Sequence, residues 1–129
     1  MKMVRRNPPG LPIPDGPFCQ MVQAEGNRWL FMSGQVSVNE KGEVVGKGDI
    51  KAQAQQTLKN LQRALEAEGA DLSHVTKVTV YLTDMAHRQQ VAQVRTTAFG
   101  EWLPASTLVE VKALAHPDFM IEIEAIAVL

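Results

Sequence analysis

The sequence has little of what would staple a chain or anchor it. It carries one cysteine, Cys19, so no disulfide can close within the chain and no multi-cysteine metal site exists. A single thiol fits a reducing compartment, and cytoplasmic is the expected location. No apolar run approaches the ~20 residues that span a bilayer, so no membrane partner is expected. Arg5 and Arg6 have no apolar stretch behind them, unlike a secretory signal. Neither sign of charge dominates: 13 Lys and Arg against 14 Asp and Glu leave a net charge of −1. Without surplus cations to neutralise phosphates, nucleic acid is not an expected partner. His74, His87 and His116 stand apart from one another and from Cys19, and no pair has ligand spacing, so no metal is expected. No Gly-x-Ser-x-Gly elbow is present, which leaves Ser33 a poor nucleophile. Gly42, Gly46 and Gly48 match no phosphate-cradling pattern. Internal repeats and low-complexity tracts are absent as well.

What is present reads as one globular domain. A chain of 129 residues buries roughly two-thirds of its unfolded surface and needs no cross-link to build a core. Residues Asn7 to Pro17 hold five prolines and two glycines, which predicts an extended arm rather than a helix or central strand. Two strand-like runs follow, Phe18 to Ala24 and Arg28 to Gln35, and Glu25, Gly26 and Asn27 between them read as a tight hairpin turn. Asn39 to Gly48 reads as a loop with room for a short β-excursion.

Asp49 has the character of a helix N-cap. Ile50, Ala54, Leu58, Leu61 and Leu65 then recur every three or four residues, one stripe along a helix that Gly69 stops. Val75 to Thr83 is β-branched and alternating. Met85 to Trp102 reads as a second helix with Val91, Val94, Ala98 and Trp102 on one face, ended by Pro104. Thr107 to Lys112 and Phe119 to Val128 read as strands, the latter with Phe119, Ile121, Ile123, Ala125 and Ala127 facing one way. The order ββαβαββ predicts an α+β, two-layer sandwich, with both helices on one face of a mixed sheet. The strands are more apolar than two helices can cover, which points to partner chains on the other sheet face.

The candidate site residues each admit a structural reading. Glu122 and Glu124, about 7 Å apart on one strand face, are either proton-handling carboxylates or a solvated face, and spacing alone favours the second. Ser33-Gly34 at a strand end either admits a ligand to the backbone or ends the strand. Pro104-Ala105-Ser106-Thr107 could offer hydroxyls to a ligand, although on sequence alone a plain helix-to-strand turn is the favoured reading. Cys19 reads as a packed strand residue.

Taken together, several segments resemble the Rid/YjgF family, also labelled endoribonuclease L-PSP-like. They are Gly16-Pro17-Phe18-Cys19-Gln20, Phe31-Met32-Ser33-Gly34-Gln35, the helix from Asp49 to Leu61, the strand from Val75 to Leu82, Val109-Glu110-Val111, and Ile121-Glu122-Ile123-Glu124-Ala125-Ile126-Ala127-Val128. They occur in the family's order from about Asp15 onward. The resemblance implies a chorismate-mutase-like fold and a homotrimer with a ligand cleft at each subunit interface. It implies hydrolysis of an imine or enamine of an amino acid to a ketoacid and ammonia, with no cofactor. Glu122 would hold the attacking water; Ser33 and Thr107 would lie at the site. The family's carboxylate-gripping arginine falls on Ser106, its pocket tyrosine on Phe18, and an asparagine of its second helix near Ala92.

Those departures matter. A charge-assisted bond is worth roughly 1.5–3 kcal/mol, so losing the bidentate arginine should weaken carboxylate binding by at least about 100-fold. Phe18 and Ala92 also remove hydrogen-bonding groups, which predicts a less polar cleft and a neutral or aromatic small-molecule ligand. Arg88 or Arg95 on the second helix could replace the cation, but nothing in the sequence places either in the cleft. Two readings follow: a hydrolase or deaminase with an altered substrate, built on Glu122, Phe18, Ser33, Ser106 and Thr107, or a non-catalytic trimer that binds a small metabolite. RNA cleavage, suggested by the family's older label, is disfavoured by the balanced charge.

Overall fold

The computed structural model describes residues 2–129. Four strands form a mixed sheet: β3 (Trp29–Gln35), β6 (Ile121–Val128), β4 (Val75–Leu82) and β5 (Ala105–Glu110), in that spatial order. β6 runs antiparallel to both neighbours, while β4 and β5 run parallel, joined by the crossover through helix α2 (Arg88–Phe99). Helix α1 (Ile50–Glu66) lies over β3 and β6 and packs against α2, so both helices cover one face, as the expected α+β sandwich requires.

α1 forms where its signals predict. The Asp49 carboxylate accepts from the Ala52 N–H at 3.1 Å, and the apolar stripe from Ile50 to Leu65 is buried. Facing it from the sheet are Val78, Val80 and Leu82 of β4 and Ile121, Ile123, Ala125 and Ala127 of β6, all nearly inaccessible. Gln53, also on the buried side of α1, has no exposed surface. Its amide donates to the carbonyls of Gly46 (3.2 Å) and Asp118 (2.8 Å) and accepts from the Met120 N–H (2.9 Å), so one satisfied amide ties two loops to the helix. Val38 and Val44 make the short β-excursion in the loop before α1.

Three expectations are corrected, and one element has no counterpart in the sequence reading. Lys2–Arg6 is a strand, β1, paired antiparallel with β2 (Met21–Glu25). Only Met3 and Val4 in it are apolar, so it carries no alternation to read; the ladder and the Arg5 side chain hold it. β2 and β3 do not pair as a hairpin. β1 takes the edge of β2, while β6 takes β3: Arg28 and Leu129 exchange backbone bonds of 3.2 and 2.9 Å just beyond the β3–β6 ladder. A side chain at Gly26 would lie 2.5 Å from the Leu129 carbonyl oxygen, so this glycine serves close packing of the chain end rather than a hairpin turn. The second helix is shorter than its periodicity suggests. A 3-10 turn over Met85–His87 precedes it, and Gly100, at φ 57°, ends it before Trp102. Finally, β5 starts at Ala105, two residues before the predicted Thr107, because pairing with β4 begins at Lys77 opposite Ala105. Among the described residues no helix is long and apolar enough to cross a membrane.

Candidate functional site

Strand alternation sorts the candidate residues onto two faces. Ser106 lies opposite Val78, and Leu108 opposite Val80, so both point to the helix-covered side of the sheet. Glu122 lies opposite Tyr81 and Glu124 opposite Thr79, which itself pairs with Thr107; these point to the open side.

On the helix-covered side, a groove of about 1060 Å³ runs between α2, β5 and the arm from Asp15 to Phe18. Phe18, Ala92 and Leu108 give it apolar walls. The carbonyl of Gly16 accepts from the Phe18 N–H at 2.8 Å, a turn that sets the ring at the groove. At the rim, Arg88 stands 3.9 Å from the Asp15 carboxylate, both well exposed. Arg95 is different. It projects from the buried stripe of α2 beside Val91 and Val94 and is 4% exposed. Its Nη2 donates to Ser106 Oγ at 2.7 Å, and its buried Nε has no partner. No carboxylate among the described residues lies within ion-pair distance of it. Burial pushes its pKa down to about 10, which leaves it charged at neutral pH.

The open face has its own polar cluster. β3 breaks register with β6 between Met32 and Gln35, and Gly34 sits in that irregularity directly under the Glu122 carboxylate. A side chain at Gly34 would displace the Glu122 carboxylate from where it lies, so the glycine, whose φ is ordinary, leaves room for that placement. Ser33 is exposed beside it. Lys77 donates to Thr107 Oγ1 at 3.1 Å and Thr79 Oγ1 at 3.2 Å. Burial holds its pKa below the usual lysine value, Glu124 opposes that, and the charge of Arg95 adds to it. The Tyr81 hydroxyl donates to Glu124, and this bond above all raises the phenol's pKa. Trp29 and Phe31 continue the same face as an exposed stacked pair, 56% and 72% exposed.

The structure therefore brings Phe18, Ala92 and Ser106 together and leaves Glu122, Ser33 and Thr107 on the opposite face of the sheet. The cleft that sequence reasoning made less polar contains a buried cation. Its signal was a charged residue inside the apolar stripe, four positions after Val91 and three before the half-buried Ala98. The remaining candidates have structural partners. His74 accepts from the Asp71 N–H in a capping box, His116 accepts from the Asp118 N–H, and buried Cys19 donates to the Met21 and Leu103 carbonyls. Among the described residues no three His, Cys, Asp or Glu side chains gather to hold a metal. Chemically, the groove offers a guanidinium with a hydroxyl for an anion, and the open face offers a carboxylate over bare backbone for a water.

A family model described as Endoribonuclease L-PSP matches residues 11–129. A RutC family protein of Pyrococcus horikoshii is 49% identical over 90% of each chain. The mouse 2-iminobutanoate/2-iminopropanoate deaminase is 38% identical over 91% of this chain and 84% of its own length. Among solved structures, YyfB of Yersinia pestis, a protein of unknown function in the conserved Rid family, superposes with a TM-score of 0.91 at 34% identity, covering both chains in full.

Proposed function

Because the chain belongs to the endoribonuclease L-PSP (Rid/YjgF) family, we propose that it hydrolyses an imine or enamine of a small metabolite in clefts shared between copies of the chain. The observation that carries this reading is the placement of Glu122: a carboxylate over Gly34, on the face away from the groove. A carboxylate so placed can hold and deprotonate a water attacking a C=N carbon. A groove and a carboxylate on opposite faces of one sheet cannot serve the same ligand within one chain. A second copy, docked on the apolar patch of Trp29 and Phe31, would bring its Glu122, Ser33 and Thr107 toward the first copy's Phe18 and Ser106. A closed ring of three such contacts is the expected assembly. The mouse relative's activity on 2-imino acids supports the reaction class.

The test is hydrolysis of 2-aminoacrylate, generated in situ by a pyridoxal-phosphate dehydratase, by the wild type and by Glu122→Gln. Light scattering of both proteins accompanies it. The expected result is a three-chain mass for both proteins and a loss of rate of about 100-fold or more in the variant. A variant as fast as the wild type would remove Glu122 from the mechanism. A monomeric mass would remove the shared cleft.

A further inference from the structure

We propose that Arg95 and Ser106 together form an anion anchor, so that the ligand of this groove carries a carboxylate gripped from α2 rather than from β5. The proposal rests on the reading of the groove as the substrate site and names what that substrate must carry. Three observations bear it.

Arg95 is withdrawn from water almost completely, yet among the described residues it has neither a carboxylate nor a set of carbonyls to compensate its charge. A guanidinium has five N–H donors, and buried charges are ordinarily paired. Here one hydroxyl is satisfied and a buried Nε is left over. Nη1, which is not enclosed in the same way, makes no hydrogen bond among the described residues and is open to an acceptor brought by a ligand.

The second observation is the direction of the Ser106 bond. The hydroxyl oxygen accepts from Arg95, which leaves its own proton free to donate. Guanidinium and hydroxyl then converge on one acceptor group, with two donors of different type 2.7 Å apart at their heavy atoms. A planar carboxylate with two oxygens matches that pair.

The third is the lining. Phe18, Ala92 and Leu108 face the same groove, so an apolar chain attached to the carboxylate has walls to lie against. One buried guanidinium balances one negative charge. Among the described residues the only other cation on the groove is Arg88, at the rim and already facing Asp15. The anchor thus favours a monoanion with a short apolar tail over a dianion.

The test is calorimetric titration of the purified protein with pyruvate, 2-oxobutanoate and the uncharged methyl ester of pyruvate. It compares wild type, Arg95→Met, Arg95→Lys and Ser106→Ala. The wild type is expected to bind both 2-oxo acids and to bind the ester at least about 30-fold more weakly. Arg95→Met should lose at least about 30-fold in affinity for the acids, Ser106→Ala about 3- to 10-fold, and Arg95→Lys should retain part of the binding. Arg95→Met binding the acids within threefold of wild type overturns the anchor, as does a wild type that binds the ester equally well or binds neither acid. The same proteins assayed on 2-aminoacrylate separate this proposal from the reading beneath it. Arginine-dependent binding without turnover leaves the anchor standing and removes the hydrolase. Turnover unimpaired in Arg95→Met removes the anchor and leaves the hydrolase.

Discussion

Arg5 and Arg95 are both drawn out of water, and the chain treats them in opposite ways. Arg5, on β1, donates through Nε to the Leu103 carbonyl at 2.9 Å and through Nη2 to the Ser73 carbonyl at 3.0 Å, and its guanidinium lies 5.3 Å from the ring centre of Trp102. Burial lowers its pKa, while Cys19 and the Glu101 carboxylate act in the other direction. Ser73 lies just before β4, and Glu101, Trp102 and Leu103 lie just before β5, so the side chain works as a clasp between β1 and those two connections. Arg95 is buried more deeply and has a single hydroxyl partner. A guanidinium that closes a structure is surrounded by acceptors from the chain; one that waits for a ligand keeps a donor edge free. The difference separates a stabilising arginine from a binding one without reference to any relative.

The largest expected effect follows from the clasp. Arg5→Met removes two charge-assisted bonds to carbonyls and leaves both acceptors to water or to nothing, which should cost about 2–3 kcal/mol of stability. Denaturant unfolding, with the slope unchanged, reads that as a lower midpoint. An unchanged midpoint would mean that β1 contributes nothing to the clasp, and the comparison between the two arginines would break on this side.

The groove predicts the opposite sign. Arg95→Met replaces a buried, uncompensated charge by an apolar side chain of similar length and should stabilise the ligand-free protein by about 1–2 kcal/mol at pH 7. The same substitution is expected to weaken anion binding by at least about 30-fold, the trade expected where a site stores an unfavourable charge. The pH dependence has a definite sign. The folded-state pKa of Arg95, about 10, lies below its ordinary value, so between the two the unfolded chain holds the proton more firmly than the folded one. Stability of the wild type therefore rises relative to Arg95→Met as pH climbs through about 10, and the gap between the two proteins narrows. Urea midpoints of both proteins, measured side by side from pH 7 to 11, give the test; a gap that is constant or widens contradicts a buried, charged Arg95.

The contrast also marks what sequence can express. α1 was legible because its cap, stripe and stop are all local: Asp49, Ile50 to Leu65, and Gly69. β6 was legible because alternation along one strand reports one buried face. β1 was not, since its partners Leu103, Ser73 and the β2 ladder lie at sequence separations no local pattern encodes. The false hairpin has the same origin: turn residues at Glu25 to Asn27 are a local signal, but the competing claim of β6 on β3 is not. At the candidate site, residue types could be matched to a resembling family's pattern, yet which sheet face each occupies depended on register. The register of β5 on β4 decides that Ser106 meets Arg95, and the register of β6 on β4 decides that Glu122 faces away. The sequence offers Arg88 and Arg95 as candidate cations, but position 106 shows only the loss, and which of the two reaches Ser106 depends on the packing of α2 on β5.

The smallest effect concerns Trp102, and it tests how much of the clasp is electrostatic. The indole lies beyond the end of α2, 47% exposed, with the Arg5 guanidinium over its ring. Trp102→Leu keeps an apolar cover but removes the quadrupole, and at so exposed a site a cation–π contact is worth about 0.5–1 kcal/mol. Single variants alone would mix that term with lost area, so the measurement is a double-mutant cycle of Trp102→Leu with Arg5→Met. A coupling of about 0.5–1 kcal/mol is expected, smaller than the cost of Arg5→Met alone, because the two carbonyl bonds carry most of the clasp. Coupling near zero would assign the whole role of Arg5 to those carbonyls. Coupling equal to the full Arg5 effect would mean the indole orders the side chain, and the clasp would then be three-membered rather than a pair of bonds under a passive cover.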